Sequence, residues 1–214
     1  MAKKNIRRGI FITFEGVEGC GKSTHSRLLC DSLKNRSYNC LLTREPGGTK
    51  TGEEIRRILL HSDGIDISDL TELFLFEAAR AQIVAELIKP SLAAGKIVVC
   101  DRFSDATVCY QGYAGGVDLK AIGSLNKVAT GGLKPDLTIL LDVDTATGLD
   151  RAKAKGVDRM ERKCFAYHKR VRAGYLKLAK IYPKRIKVIR VGGSIEDTQA
   201  IVRREVEHVI SILA

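Results

Sequence analysis

The sequence predicts a single α/β domain built on a five-stranded parallel sheet with helices on both faces. Two observations carry this prediction. Short, continuously apolar segments alternate with helical patterns, and 214 residues are about one domain's worth of chain. Strands that are apolar on both faces are typical of a parallel sheet covered by helices. Apolar residues make up 44% of the composition, enough for a full core. We therefore expect residues 1–214 to form one domain.

The elements follow one another in a regular order. The candidate strands lie at residues 10–14, 40–43, 96–100, 137–141 and 186–189. Helical patterns occupy residues 22–33, 53–60 and 69–94, and an apolar stripe over 201–213 predicts a C-terminal helix. The 69–94 helix begins with Ser68 or Asp69 ahead of Glu72, a pattern typical of a capping box.

The composition excludes several classes of protein. The apolar runs are far shorter than the ~18 residues that a membrane helix needs. Glu15 interrupts the apolar run behind the basic N-terminus, so we expect no signal peptide, a flexible basic tail over residues 1–9 and a cytoplasmic location. The six cysteines lack C-x-x-C spacing, which favours reduced thiols over a zinc or redox site.

A phosphate-binding loop (P-loop) is the strongest motif. Residues 16–23 match G-x-x-x-x-G-K-[ST] in full, directly after a predicted strand and directly before a predicted helix. Backbone N–H groups of such a loop surround phosphate oxygens, and the helix N-terminus adds positive potential. We expect Lys22 to reach the β and γ phosphates and Ser23 to bind Mg²⁺. The predicted ATP site comprises Gly16, Val17, Glu18, Gly19, Cys20, Gly21, Lys22, Ser23 and Thr24.

Cys20 is the unusual member of this loop. A position near a helix N-terminus predicts a lowered thiol pKa. ATP would then protect Cys20 from alkylation, and the modified protein would be inactive. An inert thiol is the alternative.

Residues beyond the P-loop distinguish between classes of P-loop protein. A GTPase needs an Asn-Lys-x-Asp guanine reader, whereas residues 126–129 read Asn-Lys-Val-Ala. Motor ATPases usually end a strand in Asp-Glu, whereas the third strand here ends in Asp101-Arg102. At the carboxyl end of a parallel strand this pair faces the same crevice as the loop. Asp101 would organise Mg²⁺ and Arg102 would hold an acceptor phosphate. A salt-bridged strand end is the structural alternative.

The net charge of +11 has a local origin. Residues 151–190 contain 15 of the 36 basic residues and two of the 25 acidic ones, so the rest of the chain is close to neutral. An anionic partner is indicated, which is a nucleic acid, a membrane surface or a phosphorylated ligand.

Pairs of residues four apart, and therefore on one helix face, suggest the acceptor side. Phe76 pairs with Arg80, and Thr107 pairs with Gln111 next to Tyr110. An aromatic face with planar donors and acceptors suits a nucleobase. Taken singly, Phe76 fits a core residue, Arg80 an ion-pair partner and Gln111 a surface residue.

Six motifs together resemble the thymidylate kinase family. They are Phe-Glu-Gly-Val-Glu-Gly-Cys-Gly-Lys-Ser at 14–23, Thr-Arg-Glu-Pro-Gly-Gly-Thr at 43–49, Phe-Glu-Ala-Ala-Arg at 76–80, Asp-Arg-Phe at 101–103, Tyr-Gln-Gly at 110–112 and Asp-Arg-Met-Glu at 158–161. The 43–49 motif is the most specific, and the likeness covers nearly the whole chain. The resemblance implies the fold of a P-loop nucleoside monophosphate kinase with a short lid. It also implies Mg²⁺-dependent transfer of the γ-phosphate of ATP to dTMP.

The resemblance implies roles around the base. Phe76 would stack on thymine and Arg80 would hydrogen-bond its edge. Thr107 and Gln111 would complete the base pocket, and Tyr110 would pack against the sugar.

It also implies roles around the acceptor phosphate. Arg44 and Arg102 would hold this phosphate, and Glu45 and Pro46 belong to the same substrate site. Glu18 would lie near the sugar hydroxyl or the metal, which Ser23 and Asp101 would bind.

A lid at about residues 151–161 is the last implication. In one group of the family an arginine of the P-loop assists the transfer, and Gly19 occupies its position here. The lid is therefore expected to supply the catalytic arginines, as in bacterial enzymes. Arg151 and Arg159 are the candidate transition-state cations, beside the catalytic Lys22 and Arg102. Two lid positions that are often arginine in the family carry lysine, which cannot form a bidentate fork. They are Lys153 and Lys155.

Three functions remain open at this stage. The first is dTMP phosphorylation by a homodimer whose subunits meet through helices near 70–94 and 104–130, with no membrane or nucleic-acid partner. The second is a nucleic-acid-associated P-loop ATPase that uses the 151–190 segment. The third is a kinase for another nucleoside monophosphate.

Overall fold

The computed structural model describes residues 6, 8–61, 64–154 and 158–213. These residues form one five-stranded sheet in the order β2-β3-β1-β4-β5, and all of its strand pairs are parallel. The strands are β1 (Ile10–Glu15), β2 (Cys40–Arg44), β3 (Ile97–Asp101), β4 (Leu137–Asp142) and β5 (Ile186–Arg190). The predicted sheet is therefore confirmed. Within the described part of the chain, no helix is long and apolar enough to cross a membrane.

The described helices cover both faces of the sheet. They are α1 (Lys22–Asn35), α2 (Lys50–His61), α3 (Asp69–Ile83), α4 (Lys89–Ala93), α5 (Ser104–Thr107), α6 (Leu119–Thr130), α7 (Thr145–Lys153), α8 (Phe165–Ile181) and α9 (Ile195–Leu213). Two segments, Val84–Ile88 and Val108–Ala114, are π-helical. The predicted 69–94 helix is thus divided by a π-helical segment, and the sequence did not predict α7 or α8.

The core lies on both sides of β1, which is the central strand. Ile10, Ile12 and Phe14 face the larger apolar cluster, while Phe11 faces a smaller one. In the smaller cluster the rings of Phe11 and Phe103 meet edge to face at 4.8 Å. The strand is therefore buried on both faces, as expected for a central strand of a parallel sheet.

The register aligns the carboxyl ends of the strands. Phe14 pairs with Asp101, which also pairs with Arg44 on the other side. The loops that leave β1, β2 and β3 therefore begin side by side at one edge of the sheet. In an open α/β sheet this edge is the usual position of a ligand site.

Helix α8 accounts for much of the basic 151–190 segment. Its buried stripe consists of Tyr167, Val171, Tyr175 and Leu178, spaced three or four residues apart. This stripe packs against the π-helical segment Val108–Ala114. The basic residues of α8 lie between the residues of the apolar stripe. They obscured the helical pattern in the sequence, so α8 was not predicted.

The start of α3 agrees only in part with the capping pattern of the sequence. Ser68 does cap α3, since its Oγ accepts a hydrogen bond from the backbone N–H of Thr71 at 3.3 Å. The prediction that Glu72 completes a capping box is wrong, because its side chain is buried and binds other partners.

At the N-terminus, Ile6 is buried and Arg8 donates to Asp136 at 2.7 Å. Residues 1–5 and 7 of the expected tail, and residues 155–157 of the expected lid, lie outside the described residues.

Candidate active site

A cleft of about 720 Å³ opens at the carboxyl edge of the sheet. Most of the predicted site residues line it together. They are Glu18, Gly19, Cys20, Gly21, Lys22, Ser23, Thr24, Arg44, Glu45, Pro46, Phe76, Arg80, Asp101, Arg102, Thr107, Tyr110, Gln111 and Arg151. Gly16, Val17 and Arg159 are the predicted residues that do not line it.

The P-loop connects β1 to α1 as predicted. Lys22 Nζ donates to the carbonyl oxygens of Gly16 at 3.1 Å and Val17 at 2.8 Å, so the lysine lies across its own loop. Gly21 precedes the helix with φ of 96°, a backbone conformation that favours glycine. The N–H groups at the start of α1 therefore face the cleft, where they can bind phosphate oxygens.

Gly19 makes the closest approach between the P-loop and α7. A Cβ atom at Gly19 would lie 2.0 Å from the carbonyl oxygen of Gly148 and 3.1 Å from Cβ of Arg151. A Cβ at Gly148 would in turn lie 2.5 Å from the carbonyl oxygen of Glu18. Backbone packs on backbone here, so a side chain at position 19 would push α7 away from the loop.

Ser23 and Asp101 provide the oxygen ligands expected for a metal. The Ser23 hydroxyl donates to Asp101 Oδ2 at 2.5 Å, although the residues come from α1 and from the end of β3. Hydroxyl and carboxylate oxygens are ligands that Mg²⁺ prefers. The pair therefore fits the predicted magnesium site. Clusters of three or more His, Cys, Asp or Glu residues that could hold a metal are absent from the described residues.

Arg102 lies at the centre of the cleft with a left-handed backbone, φ 71°. Its guanidinium donates to Glu18 at 3.0 Å, to the Gly16 carbonyl at 3.2 Å and to the Tyr175 hydroxyl at 3.3 Å. It also lies 4.9 Å from the centre of the Tyr110 ring. A non-glycine residue uncommonly adopts such a backbone, and strained residues of this kind cluster at functional sites.

Glu18 is the carboxylate that holds this group of side chains together. Its Oε1 accepts from Arg102 and, at 2.6 Å, from the Tyr110 hydroxyl. His168 Nδ1 lies 3.4 Å from Oε2, an ion-pair distance. Burial tends to raise the pKa of Glu18, but the contact with His168 and the charges of Arg102 and Lys22 outweigh burial and lower this pKa well below its ordinary value. Glu18 is therefore ionised at neutral pH.

Arg80 is a buried arginine whose donors are almost all used within the protein. Nε donates to Glu45 at 2.8 Å and Nη1 donates to Glu77 at 2.7 Å. Nη1 also contacts Thr107 and Asn126, and Nη2 donates to the Phe103 carbonyl. Of the five guanidinium hydrogens, one on Nη2 remains for a ligand.

The carboxyl groups around Arg80 are affected by this burial. Burial raises the pKa of Glu45 to about 7 despite the opposing charge of Arg80. Burial also raises the pKa of Glu77. Arg80 is thus the shared charge partner of two buried carboxyl groups at the cleft.

A second cationic group faces the P-loop. Arg44 is held by both oxygens of Glu53 at 3.2 and 3.1 Å, and it remains exposed at the cleft. Arg56, which sequence reasoning missed, also lines the cleft and donates to the Pro46 carbonyl at 2.9 Å. Burial and then the like charge of Arg44 lower the pKa of Arg56, and Arg102 acts in the same direction. Like charges gathered in this way favour binding of an anion.

The two candidate lid arginines behave differently. Arg151, near the end of α7, lines the cleft beside Gly19. Arg159 does not line it: Nε donates to the Leu59 carbonyl at 2.7 Å and Nη2 donates to buried Glu72. In this conformation Arg159 binds protein partners, and its predicted catalytic role requires those bonds to break.

Cys20 does not have the expected reactivity. Its side chain is fully buried, and burial raises the pKa of the thiol despite the nearby charge of Lys22. The expectation of a lowered pKa is therefore wrong, because burial outweighs the helix N-terminus. The cysteines are all free, which agrees with the expectation of reduced thiols.

Several site residues had no signal in the sequence. His168 and Tyr175 reach the cleft residues from α8, and Glu72 reaches Gln111 from α3. At the opposite end the cleft is lined by His25 of α1 and by Ser194 and Thr198 at the start of α9. His168, Tyr175, Ser194 and Thr198 come from elements distant in sequence from the P-loop, so only the tertiary fold reveals them.

The fold and the cleft define a class of protein. A P-loop at the edge of a parallel sheet faces a second set of cations, and an aromatic and polar pocket lies beyond them. This combination is the architecture of a P-loop nucleoside monophosphate kinase.

Comparisons with known proteins identify the family. The family model described as "Thymidylate kinase" matches residues 14–202. Thymidylate kinase of Geotalea uraniireducens is 47% identical over 199 residues, which cover 90% of this chain and 93% of that protein. Thymidylate kinase of Symbiobacterium thermophilum is 46% identical over 201 residues, covering 94% of both chains. The crystal structure of thymidylate kinase from Ehrlichia chaffeensis has a TM-score of 0.78 and 36% identity, covering 93% of this chain and 99% of that one. The chain belongs to the thymidylate kinase family.

Proposed function

We propose that this protein transfers the γ-phosphate of ATP to dTMP, giving ADP and dTDP, with Mg²⁺ as the metal. The observation that carries the proposal is the arrangement of the cleft. The P-loop lines the same cleft as a second cationic group formed by Arg44, Arg56 and Arg102, and Phe76 belongs to the same lining. An ATPase that uses water as acceptor has no need for this second group.

On the donor side, we assign the ATP phosphates to the P-loop. Lys22 would exchange its loop carbonyl partners for phosphate oxygens, and the N–H groups of the loop would bind the remaining ones. Ser23 and Asp101 would hold Mg²⁺, which neutralises phosphate charge when bound. Their 2.5 Å contact supports this assignment.

On the acceptor side, we assign the dTMP phosphate to Arg44, Arg56 and Arg102. An oxygen of this phosphate would attack the γ-phosphorus while the bond to the leaving ADP oxygen breaks. Such a transfer depends mainly on positioning and charge neutralisation. The ionised Glu18 holds Arg102 for this task.

For the base, we assign Phe76 to stacking and the free hydrogen of Arg80 to a carbonyl oxygen of thymine. Thr107 and Gln111 would line the base edge, and Tyr110 would pack against the sugar. The proposal is supported by the presence of these side chains together in the lining of the cleft.

For the lid, the position of Arg151 in the lining of the cleft favours it over Arg159 as the cation that reaches the transferred group. Arg159 remains the second candidate, provided that it leaves Glu72.

A homodimer is part of the proposal. Exposed apolar side chains on α3 and α6 support it, since Phe74 is 50% exposed and Val128 is 80% exposed. Sedimentation of the wild-type protein at micromolar concentration tests this point, and a monomer would contradict it. A cytoplasmic location also stays a prediction.

The test of the proposed function is a panel of acceptors. ADP release is measured with dTMP, dUMP, dCMP, dGMP, UMP and AMP at fixed ATP. We expect the highest kcat/KM with dTMP. If another nucleotide of the panel is the better acceptor, the assignment of dTMP as substrate is wrong and the kinase class remains. ADP release that needs no acceptor and is stimulated by DNA would favour the nucleic-acid-associated ATPase.

A further inference from the structure

Glu72 is a buried carboxylate that the transfer chemistry does not use. It is 3% exposed, and each of its oxygens accepts one hydrogen bond. Gln111 Nε2 donates to Oε1 at 2.8 Å, and Arg159 Nη2 donates to Oε2. Because a carboxylate can only accept, the amide of Gln111 must turn its NH₂ group toward Glu72.

This orientation leaves the Gln111 carbonyl oxygen for the cleft. Gln111 lines the cleft next to Thr107 and Tyr110. Its Oε1 accepts no hydrogen bond from the residues that the structure describes, and it is not among their buried atoms that lack a partner. A ligand edge at this position therefore meets a hydrogen-bond acceptor of fixed polarity.

We propose that Glu72, by fixing the Gln111 amide, makes the cleft select pyrimidines that carry a proton on N3. This inference rests on the proposed function. Thymine and uracil present an N3–H donor, which Gln111 Oε1 can accept. Cytosine has a lone pair on N3, so two acceptors would face each other in a desolvated pocket, and one hydrogen bond would be lost.

Arg159 is the counter-ion of Glu72 and belongs to the same group of side chains. Its Nε donates to the Leu59 carbonyl at 2.7 Å, and its backbone N–H donates to the Leu60 carbonyl at 3.2 Å. Arg159 is thereby fixed to the end of α2, and a buried carboxylate needs such a charge partner. Glu72 is a positioning residue for the base. Because Arg159 belongs to the 158–161 motif and binds Glu72, this motif also affects base selection.

The test is the substitution Glu72→Gln, assayed with dTMP, dUMP and dCMP. A glutamine at position 72 can donate or accept, so the Gln111 amide is free to present either end to the base. We expect the ratio of kcat/KM for dTMP over dCMP to fall about tenfold, the effect of roughly one hydrogen bond. The ratio for dTMP over dUMP should not change, because both bases carry N3–H. A loss of packing alone would not separate these two ratios.

Glu86→Gln is the matched control. Glu86 accepts from Gln82 Nε2 at 2.7 Å, so it forms the same kind of pair on the exposed surface. We expect this variant to keep both ratios of the wild-type enzyme.

A second variant keeps the proposal testable if Glu72→Gln does not fold. Arg159→Gln removes the counter-ion while retaining Glu72, and it should lower the dTMP-over-dCMP ratio in the same direction. An unchanged ratio in a folded Glu72→Gln or Arg159→Gln protein overturns the inference, as does an equal change in the dUMP ratio. Failure of the wild-type protein to phosphorylate dTMP is a different result, and it would overturn the proposed function itself.

Discussion

Arg102 at the end of β3 and Glu18 in the P-loop form an ion pair, with Nη2 3.0 Å from Oε1. The pair joins the candidate acceptor site to the candidate ATP site. His168 Nδ1 also lies 3.4 Å from Oε2 of Glu18, so the carboxylate lies between a guanidinium and an imidazole from different elements. Burial alone would lower the pKa of His168. The contact with Glu18 outweighs the effect of burial, so the pKa of His168 is raised. The geometry of Arg102 thus depends on the charge of Glu18.

The first prediction is that Glu18→Gln lowers kcat/KM for dTMP about 100-fold. The neutral amide cannot hold Arg102 as a carboxylate does, and loss of a positioning contact of this kind can cost ~10²-fold. Steady-state kinetics at saturating ATP measure the effect. Glu54→Gln, a change at an exposed ion pair on α2, is the control and should leave kinetics unchanged. Equal kinetics for the two variants would contradict the role of Glu18.

The second prediction concerns Arg80. Arg80→Lys keeps the charge but removes the planar fork that binds Glu45, Glu77 and the Phe103 carbonyl. We expect the free energy of unfolding to fall by about 3 kcal/mol, since buried polar partners are left unsatisfied. Urea denaturation measures the change. Arg203→Lys, at an exposed position of α9, should change it by less than about 0.5 kcal/mol. A stability equal to that of this control would show that the network is not needed.

The third prediction is a pH dependence caused by Glu15. Burial and the charge of Asp105 raise the pKa of Glu15 to about 8. The folded protein therefore holds a proton that the unfolded chain releases above about pH 4.5. Stability from this group must decrease as the pH rises toward 8, by about 1.4 kcal/mol per pH unit.

Glu15→Gln removes this titration. Its Oε1 can still accept from the Phe103 N–H, as the carboxyl oxygen does at 2.7 Å. Between pH 6 and pH 8 the wild-type protein should lose about 2–3 kcal/mol more than the variant. Denaturation at several pH values gives both curves, and parallel curves would contradict the raised pKa.

The fourth prediction uses two glycines with positive φ. Gly19→Ala places a Cβ 2.0 Å from the Gly148 carbonyl, whereas Gly132→Ala, with φ of 77°, meets nothing within 4 Å. Both variants carry the backbone strain, of about 1 kcal/mol. We expect only Gly19→Ala to separate α7 from the P-loop and to lower kcat at least tenfold. Similar kcat values in the two variants would show that the contact is unimportant for catalysis.

The fifth prediction assigns the lid cation. Arg151→Ala should lower kcat by ~10³ and leave KM for dTMP within about threefold, because a closing arginine acts on the transferred group. Lys180→Ala is the control and should leave kcat unchanged, since Lys180 is exposed on α8 and lies outside the lid. If Arg159→Ala lowers kcat and Arg151→Ala does not, the assignment passes to Arg159.

The sequence was sufficient for the parts of the site that are local in the chain. The P-loop, the Asp101-Arg102 pair and the strands are each defined by a few consecutive residues, and the structure confirms the sheet. Gln111 was placed on a helical face with Thr107. The two do line one cleft, although Gln111 lies in a π-helical segment that the sequence did not indicate.

The rest depends on contacts between distant elements. Glu72 looked like a capping residue because Ser68 precedes it, yet it is buried against a residue 39 positions away. The many basic residues of 151–190 obscured the apolar pattern of α8 in the sequence. Some of these basic residues form ion pairs within the protein, since Arg172 binds Asp142 at 2.7 Å and Arg185 binds Asp105 at 2.6 Å. No pattern in the sequence shows which cations meet a carboxylate in the fold.

Transfer of label from [γ-³²P]ATP tests the central claim most directly. The wild-type protein is incubated with labelled ATP, Mg²⁺ and dTMP, and the products are separated by chromatography. We predict that the label moves to dTDP in a one-to-one ratio with ADP formed. Label found in inorganic phosphate, or ADP formed without labelled dTDP, would contradict the account.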